Sequence, residues 1–429
     1  MKYFLNVVYI IALIIISPLI LYRIIAHNRY KKGLQNRLGK INNENKDKKS
    51  IWIHAVSVGE VNAAKTIIGE LEKKFPNLQI ALSTTTDTGF DTATKFFGEK
   101  HNIFYFPFDF SWTMARAFKN LSPAICLLME LEVWPNFVQT AAETNVPVVV
   151  LNGRISDKSF SRYKLIKAIT KKIFSKISLI LCQTEEYASR FVKIGADKDK
   201  VIVTGSLKYD TAQISDKIDE ADQLAAQLRI EGENLIVAGG TGNDEEAIIL
   251  DAYRNVISNP QCRNYRLVIV PRKPERFNEV AGIIKQRGFA FLRYSEVKKK
   301  NNAPITDKQT IILGDTMGDL RKFYSLAKII FVGRSLVPMG GSDMMEAAAL
   351  GKCTIFGPHT FNFRQPVNAL LEGSGAIMVK DREQLQQIFK KCILEPEFAQ
   401  QIAKNGQQII KDNQGATAKT LEQIEKLLN

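Results

Sequence analysis

The stretch Ile51-Trp-Ile-His-Ala-Val-Ser-Val-Gly-Glu60-Val-Asn-Ala-Ala64 decides the fold. It begins as an apolar run rich in β-branched residues and stops at the small residues Ser57 and Gly59. A helical spacing of apolar positions then begins at once, with Val61, Ala64, Ile67, Ile68 and Leu71. A strand, a tight loop and a helix in that order form the first unit of a parallel α/β sheet. Loops of this kind stand at the carboxyl ends of strands, where open α/β sheets place their ligands. Glu60 therefore falls at a helix start beside Gly59, in an expected cleft. A plainer role for Glu60 is to offset the helix dipole. The rest of the chain favours a general base.

The same grammar repeats along the first half. Leu78 to Ser83 is a strand, followed by Thr84, Thr85, Thr86 and Gly89 ahead of a helix expected from near Phe90. Hydroxyls in that position cap a helix or hold a sugar or phosphate. Ile103 to Asp109 is a strand and turn. Ala124 to Met129 is a buried strand that ends in Glu130-Leu-Glu132-Val-Trp-Pro-Asn136. Carboxylates there are costly to bury unpaired. One is expected to pair with an arginine or hold an acceptor hydroxyl, and the other to tune Glu60; capping the Pro-started helix is the alternative. Strands at Val146 to Leu151, Leu179 to Gln183 and Val201 to Gly205 complete this half, which ends at Gly205-Ser-Leu-Lys208-Tyr-Asp210. Between them, Lys158 to Lys176 alternates basic residues with Phe160, Tyr163, Ile166, Ile169, Ile173 and Phe174. Such a stretch suits a membrane surface or forms a solvated face over a core stripe.

The chain has 429 residues, more than one core usually accommodates, so two domains are expected. With 45% hydrophobic and 24% charged residues it reads as globular. The net charge of +15 is spread along the chain and suits nucleic acid, a membrane surface or an anionic substrate. No recognised nucleic-acid module accompanies it, which argues against nucleic acid. The five cysteines are scattered without a C-x-x-C pair, as reduced core residues are. From Tyr3 to Tyr22 the sequence is apolar apart from Asn6, Ser17 and Pro18, about the 20 residues of a membrane span. The basic residues Arg23, Arg29, Lys31, Lys32, Arg37 and Lys40 follow it, so the expectation is an uncleaved single-pass anchor with the catalytic domains cytoplasmic.

The second half opens with an acidic helical segment, Asp216 to Arg229, and starts a new α/β domain at Asn234-Leu-Ile-Val-Ala-Gly-Gly240-Thr241-Gly-Asn243-Asp-Glu-Glu246. The helix start there would suit an anion. Arg266 to Val270 is a strand that delivers Arg272, Lys273 and Arg276, again where a phosphate can sit. Ile311-Ile-Leu-Gly314-Asp315-Thr-Met317-Gly318-Asp-Leu320 is a strand and polar turn. The strongest donor-site signal is Ile329-Ile-Phe-Val-Gly333 followed by Gly340, Gly341, Ser342, Asp343 and Glu346. Free backbone N–H groups at that helix start are expected to hold a leaving phosphate, with Glu346 on a ribose. Cys353 to Phe363 is the last strand and loop, and the tail is helical and charged.

Taken in order, Trp52 to Glu60, Thr84 to Gly89, Glu130-x-Glu132-x-Trp134-Pro-Asn136, Gly205-Ser-Leu-Lys208, Gly314 to Leu320 and Gly357-Pro-His-x-x-Asn-Phe363 resemble the 3-deoxy-D-manno-octulosonic acid (Kdo) transferases. The resemblance runs from about Arg37 to near residue 380. It implies a GT-B fold: two Rossmann-like domains facing a cleft, with an N-terminal transmembrane helix. The corresponding segments are an anchor at 1–27, an acceptor domain at 45–212 and a donor domain at 213–429, the last helix packing back on the acceptor domain. It implies inverting transfer of Kdo from CMP-Kdo to the lipid A precursor at the cytoplasmic leaflet of the inner membrane, without cofactor or metal. Glu60 is then the general base, with Glu130 and Glu132 beside it. Arg272, Arg276, Gly340, Gly341, Ser342, Glu346, Gly240, Thr241, Met317 and Gly318 would contact the donor. Ser57, Gly59, Thr84, Thr85, Thr86 and Lys208 would contact the acceptor. Three departures lie in the donor half. Ser342-Asp343 stands for the family's His-Asn, Lys273 for its His, and Gly240-Thr-Gly-Asn243 for its Gly-Ser-Thr-His. They leave room for another membrane-associated GT-B enzyme that uses a UDP-sugar, or for a binding protein with a decayed site; the retained glutamates argue against decay.

Overall fold

Strands buried on both faces pair with one another, and helices between them make the pairing parallel. A computed structural model describes residues 5–11, 14–17, 32–42, 48–216, 218–300 and 307–428. The chain forms two compact units. One runs to Thr211 and takes in the segment from Asn413 onward; the other is Ala212–Asp412.

The first unit is a seven-stranded sheet of β1 (Ser50–His54), β2 (Gln79–Thr84), β3 (Asn102–Tyr105), β4 (Pro123–Met129), β5 (Val148–Gly153), β6 (Leu179–Cys182) and β7 (Val201–Val203). The order is β3-β2-β1-β4-β5-β6-β7, and each neighbouring pair is parallel. Alternate residues feed the two faces. Trp52, Cys126, Leu128, Val148 and Val150 join one core. Ile51, Ile53, Ile125, Leu127, Val149 and Leu151 join the other. Both faces are covered, so the strands read as continuous apolar runs. The helix Ala416–Leu428 belongs here: Ala416 and Ile424 are buried in the second core. Its start is fixed by Gly415 N–H on Asp210 Oδ1 at 2.7 Å and Thr66 Oγ1 against Thr417 Oγ1 at 3.0 Å.

The second unit repeats the plan with β8 (Asn234–Thr241), β9 (Tyr265–Pro271), β10 (Phe291–Arg293), β11 (Ile311–Leu313), β12 (Ala327–Val332), β13 (Cys353–Phe356) and β14 (Ile377–Met378), in the order β10-β11-β9-β8-β12-β13-β14. The short edge strands β10 and β14 are not evident in the sequence. They have three and two residues of intermediate burial, too few to set up a pattern. The basic stretch is a pair of helices, Asp157–Leu165 and Lys167–Phe174, whose junction leaves Leu165 87% exposed.

Among the described residues no helix is long and apolar enough to cross a membrane. Most of the expected anchor lies outside the described residues. Its described parts, 5–11 and 14–17, are helical. Asn6, read from sequence as an interruption of a span, is instead buried in polar contacts with the first unit.

In both sheets the strand order reverses beside the first strand of the unit. The switch lies between β1 and β4 in one and between β8 and β12 in the other. Ligands of open α/β sheets bind at the carboxyl ends of such a pair. The loops that start there carry Glu60, Glu130 and both glycine-rich segments.

Trp52 holds the first sheet's core. It is fully buried, its ring lies 4.9–6.0 Å from Phe104, Phe106, Phe118 and Phe137, and its indole N–H donates to Ser83 Oγ at 2.9 Å. Trp52→Ala is expected to cost about 3–5 kcal/mol. Trp52→Phe, which loses the hydrogen bond but keeps most of the packing, should cost about 1–3 kcal/mol. Urea unfolding followed by circular dichroism distinguishes the two.

Candidate active site

At the first switch point, β1 ends and the helix Val58–Ala63 begins with Glu60 in its first turn. The Ser-x-x-Glu spacing suits a capping box. Here the glutamate takes both bonds. Val56 N–H donates to Oε2 at 2.9 Å and Ser57 O–H to Oε1 at 3.0 Å. Ser57 thereby serves Glu60 directly. Burial pushes the Glu60 carboxyl up to about 7; the two hydrogen bonds oppose the rise, and the charges of Glu130 and Glu132 add to it.

Those two residues follow β4. Glu130 has φ 56°, a left-handed conformation uncommon outside glycine and a mark of a constrained site. Its carboxylate lies 3.8 Å from Lys208 Nζ. Glu132 accepts the Trp134 indole N–H at 3.1 Å, and burial raises its carboxyl. The arginine expected from the sequence as partner is thus replaced by a lysine and an indole. Lys208 sits in the helix Leu207–Asp210, placed by Leu207 N–H on Asn152 Oδ1 at 3.1 Å.

The threonine loop divides by role. Thr86 is the N-cap of a helix that starts at Asp87 rather than Phe90: its hydroxyl accepts Gly89 N–H at 3.1 Å and donates to Val56 O at 3.0 Å. This ties the loop to the backbone that holds Glu60. A Cβ on Gly89 would lie 3.0 Å from Val56 O, so the glycine permits the approach. The buried hydroxyls of Thr84 and Thr85 have no protein partner. The same holds for Thr204 Oγ1 and Ser206 Oγ after β7 and for Asn152 Nδ2 near the end of β5. Ser206 lies within the Gly205-Ser-Leu-Lys208 motif, whereas no motif marked Thr204 or Asn152 as a binding group. Their side chains become a set only through the parallel register. Buried His54 stacks on Phe106 with centroids 3.9 Å apart, and burial lowers its imidazole to about 3, so it stays neutral.

At the second switch point several residues expected to meet the donor turn inward. Thr241 is fully buried and donates to Glu246 Oε1 at 2.7 Å. Arg276 is buried and bidentate on Glu246, at 2.6 and 3.0 Å, and also bonded to Glu279. The Gly240 carbonyl accepts Ser342 O–H at 2.8 Å. Gly341 N–H and Ser342 N–H donate to Arg334 O and Gly333 O, and Asp343 caps the helix Met344–Ala349 by accepting Met345 N–H. Three of the backbone donors expected to be free are thus used to close the loop on itself. At the start of the helix Glu245–Ile257, where an anion was expected, the chain supplies its own. Fully buried Glu245 accepts N–H groups from Gly242, Arg334, Ser335 and Leu336. The sequence signal was two acids in a first turn after a glycine loop, read only as a helix start.

Arg272 remains solvent-exposed, as does Met317 beside Gly318 with its φ of 91°. Glu346 is partly buried; burial raises its carboxyl, and the charges of Arg321 and Arg272 pull the other way. Among the described residues no group of three or more His, Cys, Asp or Glu side chains could hold a metal ion.

Two parallel Rossmann-like sheets with loops at their switch points define an α/β fold of the GT-B type. A glycosyltransferase from Rickettsia africae shares it, with a TM-score of 0.55 at 14% identity over 89% of this chain and 99% of that one. Residues 32–211 match the family model of 3-deoxy-D-manno-octulosonic-acid transferase (kdotransferase). The 3-deoxy-D-manno-octulosonic acid transferase of Haemophilus influenzae is 33% identical over 97% of both chains. That of Bordetella pertussis is 28% identical over 88% of this chain and 87% of its own. The chain belongs to the Kdo transferase family and is a glycosyltransferase.

The Glu246–Arg276 pair predicts a stability difference. Glu246→Ala leaves a buried guanidinium short of its main partner and is expected to cost about 3–5 kcal/mol. Glu279→Ala removes the exposed partner and should cost under about 1 kcal/mol. Urea unfolding of the two variants checks this.

Proposed function

We propose that the enzyme transfers Kdo from CMP-Kdo to a primary hydroxyl of the lipid A precursor, with inversion. The observation that carries this reading is the Glu60 carboxyl, held by two hydrogen bonds and raised to about 7. A group near neutrality is half ionised at working pH, and its conjugate acid is weak enough for it to accept a proton effectively. Glu60 takes the acceptor's hydroxyl proton while the oxygen bonds to the anomeric carbon. The bond from that carbon to the phosphate oxygen breaks, and CMP leaves with its electron pair. Arg272 offsets the developing phosphate charge, so no metal is required. Glu346 binds the ribose, and Met317 and Gly318 flank the nucleotide. Lys208 and the unpartnered hydroxyls of Thr84 and Thr85 suit a hydroxyl-rich, anionic acceptor.

A lipid acceptor places the reaction at a membrane face. The junction of the helices Asp157–Leu165 and Lys167–Phe174 supports this. Leu165, Ile166 and Ile169 are exposed there, among Lys158, Arg162, Lys164, Lys167, Lys171 and Lys172. Apolar tips with a cationic surround suit an anionic leaflet.

Glu60→Gln is expected to lower kcat by roughly 10²–10⁴-fold. Its fold should survive. The raised pKa means the folded state favours the neutral acid, a contribution lost as pH rises through about 7, so removing the charge is harmless above that pH. An unaltered kcat in the folded variant overturns the assignment. In the parent, activity should fall as pH drops through about 7, where Glu60 protonates. Glu130→Gln removes a neighbouring negative charge and should move that limb to lower pH. CMP should compete with the donor and UDP should not; the reverse would indicate a different sugar nucleotide.

A further inference from the structure

The apolar N-terminal segment has one polar side, and that side is already occupied. Asn6 uses its whole amide on the first unit. It donates to Ser111 Oγ at 2.7 Å and accepts from Ser111 N–H at 3.1 Å and from Asn136 Nδ2 at 3.3 Å. One turn on, Tyr9 O–H donates to Asp109 Oδ2 at 3.0 Å, and its ring stands edge-on to Phe110. Asp109 is itself the cap of the helix Pro135–Glu143, accepting Asn136 N–H at 3.0 Å and Phe137 N–H at 2.8 Å. That helix begins where the Glu130–Trp134 turn ends.

The chain on the far side of the segment returns to the same place. Arg37 O accepts Phe108 N–H at 2.8 Å, the Arg37 guanidinium donates to Thr85 O at 3.0 Å, and Arg116 donates to Leu38 O at 3.1 Å. A helix spanning from Tyr3 to Tyr22 would put Asn6 and Tyr22 roughly 24 Å apart along the membrane normal, at 1.5 Å per residue. Asn6 and Arg37 instead attach within three residues of each other, at Phe108 and Ser111. The other side of the segment is wholly aliphatic. Val7, Val8, Ile10, Ile11, Ile14, Ile15 and Ile16 are 42–71% exposed. Trp112 is exposed and stacked on Phe110, the ring that Tyr9 also packs against, a suitable interfacial aromatic.

We infer that the helical residues 5–11 and 14–17 lie in the plane of the lipid surface, latched to the acceptor-side unit through Asn6 and Tyr9, rather than crossing the bilayer. The partner is a bilayer interface: the aliphatic side enters the acyl boundary, and exposed basic residues such as Lys32 and Lys40 meet anionic headgroups. The latch runs through Asp109 to the turn that carries Glu130 and Glu132. It thereby holds the candidate site at a fixed height over the leaflet. This last step rests on the proposal that the acceptor is a membrane lipid; the in-plane topology does not.

The five native cysteines are buried, so an added one reports alone. Lys2→Cys in the full-length enzyme is labelled with a membrane-impermeant maleimide. Labelling in inside-out vesicles but not in spheroplasts is the expected result. Labelling from the outer face, or only after detergent, overturns the topology. For the latch, the Asn6→Leu/Tyr9→Phe variant is assayed with acceptor embedded in anionic phospholipid vesicles and with acceptor dispersed in detergent. Transfer should fall about tenfold in vesicles, the scale expected for losing buried hydrogen bonds, and stay within about twofold in detergent. Equal rates, or equal losses, in the two assays overturn it.

Discussion

The buried Glu60 carboxyl and its two carboxylate neighbours set the terms for the first unit. Like charges at one sheet end repel, and burial disfavours the ionised forms of Glu60 and Glu132. The surrounding chain answers with donors fixed in place. Val56 N–H and Ser57 O–H serve Glu60, the Trp134 indole serves Glu132, and Lys208 stands against Glu130. The left-handed backbone at Glu130, the Thr86 bridge to Val56 and the Asn152 bond that sets Lys208 all follow from holding that cluster. The outcome is a carboxyl poised near neutrality, not one silenced by a full salt bridge.

The second unit treats negative charge differently. Glu245 occupies a ring of backbone N–H groups, and Glu246 neutralises Arg276 inside the loop framework. Carboxylates of the chain thus fill positions where an external anion was expected. The loop after β12 is thereby braced by the chain's own groups. Arg272 stays exposed and Glu346 partly buried, outside that internal framework.

The fold was legible because parallel strands buried on both faces leave long apolar runs, and each run ended in a loop of small or polar residues. Only β10 and β14 escaped, being too short for any pattern. The site was legible where a residue type is costly in its place: Glu60, Glu130 and Glu132 stood out because buried carboxylates need a reason. Legibility failed where direction mattered. Glycines, Thr241 and Arg276 read alike whether they face a ligand or their own framework, and only the paired partners separate the cases. Asn6 failed for a related reason. A polar residue in an apolar run looks like a defect until its partners, more than a hundred positions away, are brought to it.

The helix Ala416–Leu428 has a consequence for biosynthesis. Ala416 and Ile424 complete a core whose other members precede residue 208. A ribosome must therefore release the whole intervening unit before the first can close. Until then the core that Ala416 and Ile424 complete lacks part of its cover and exposes apolar surface of the kind that chaperones recognise. Any truncation that removes the terminal helix damages the first unit at the opposite end of the gene from where most of that unit is encoded.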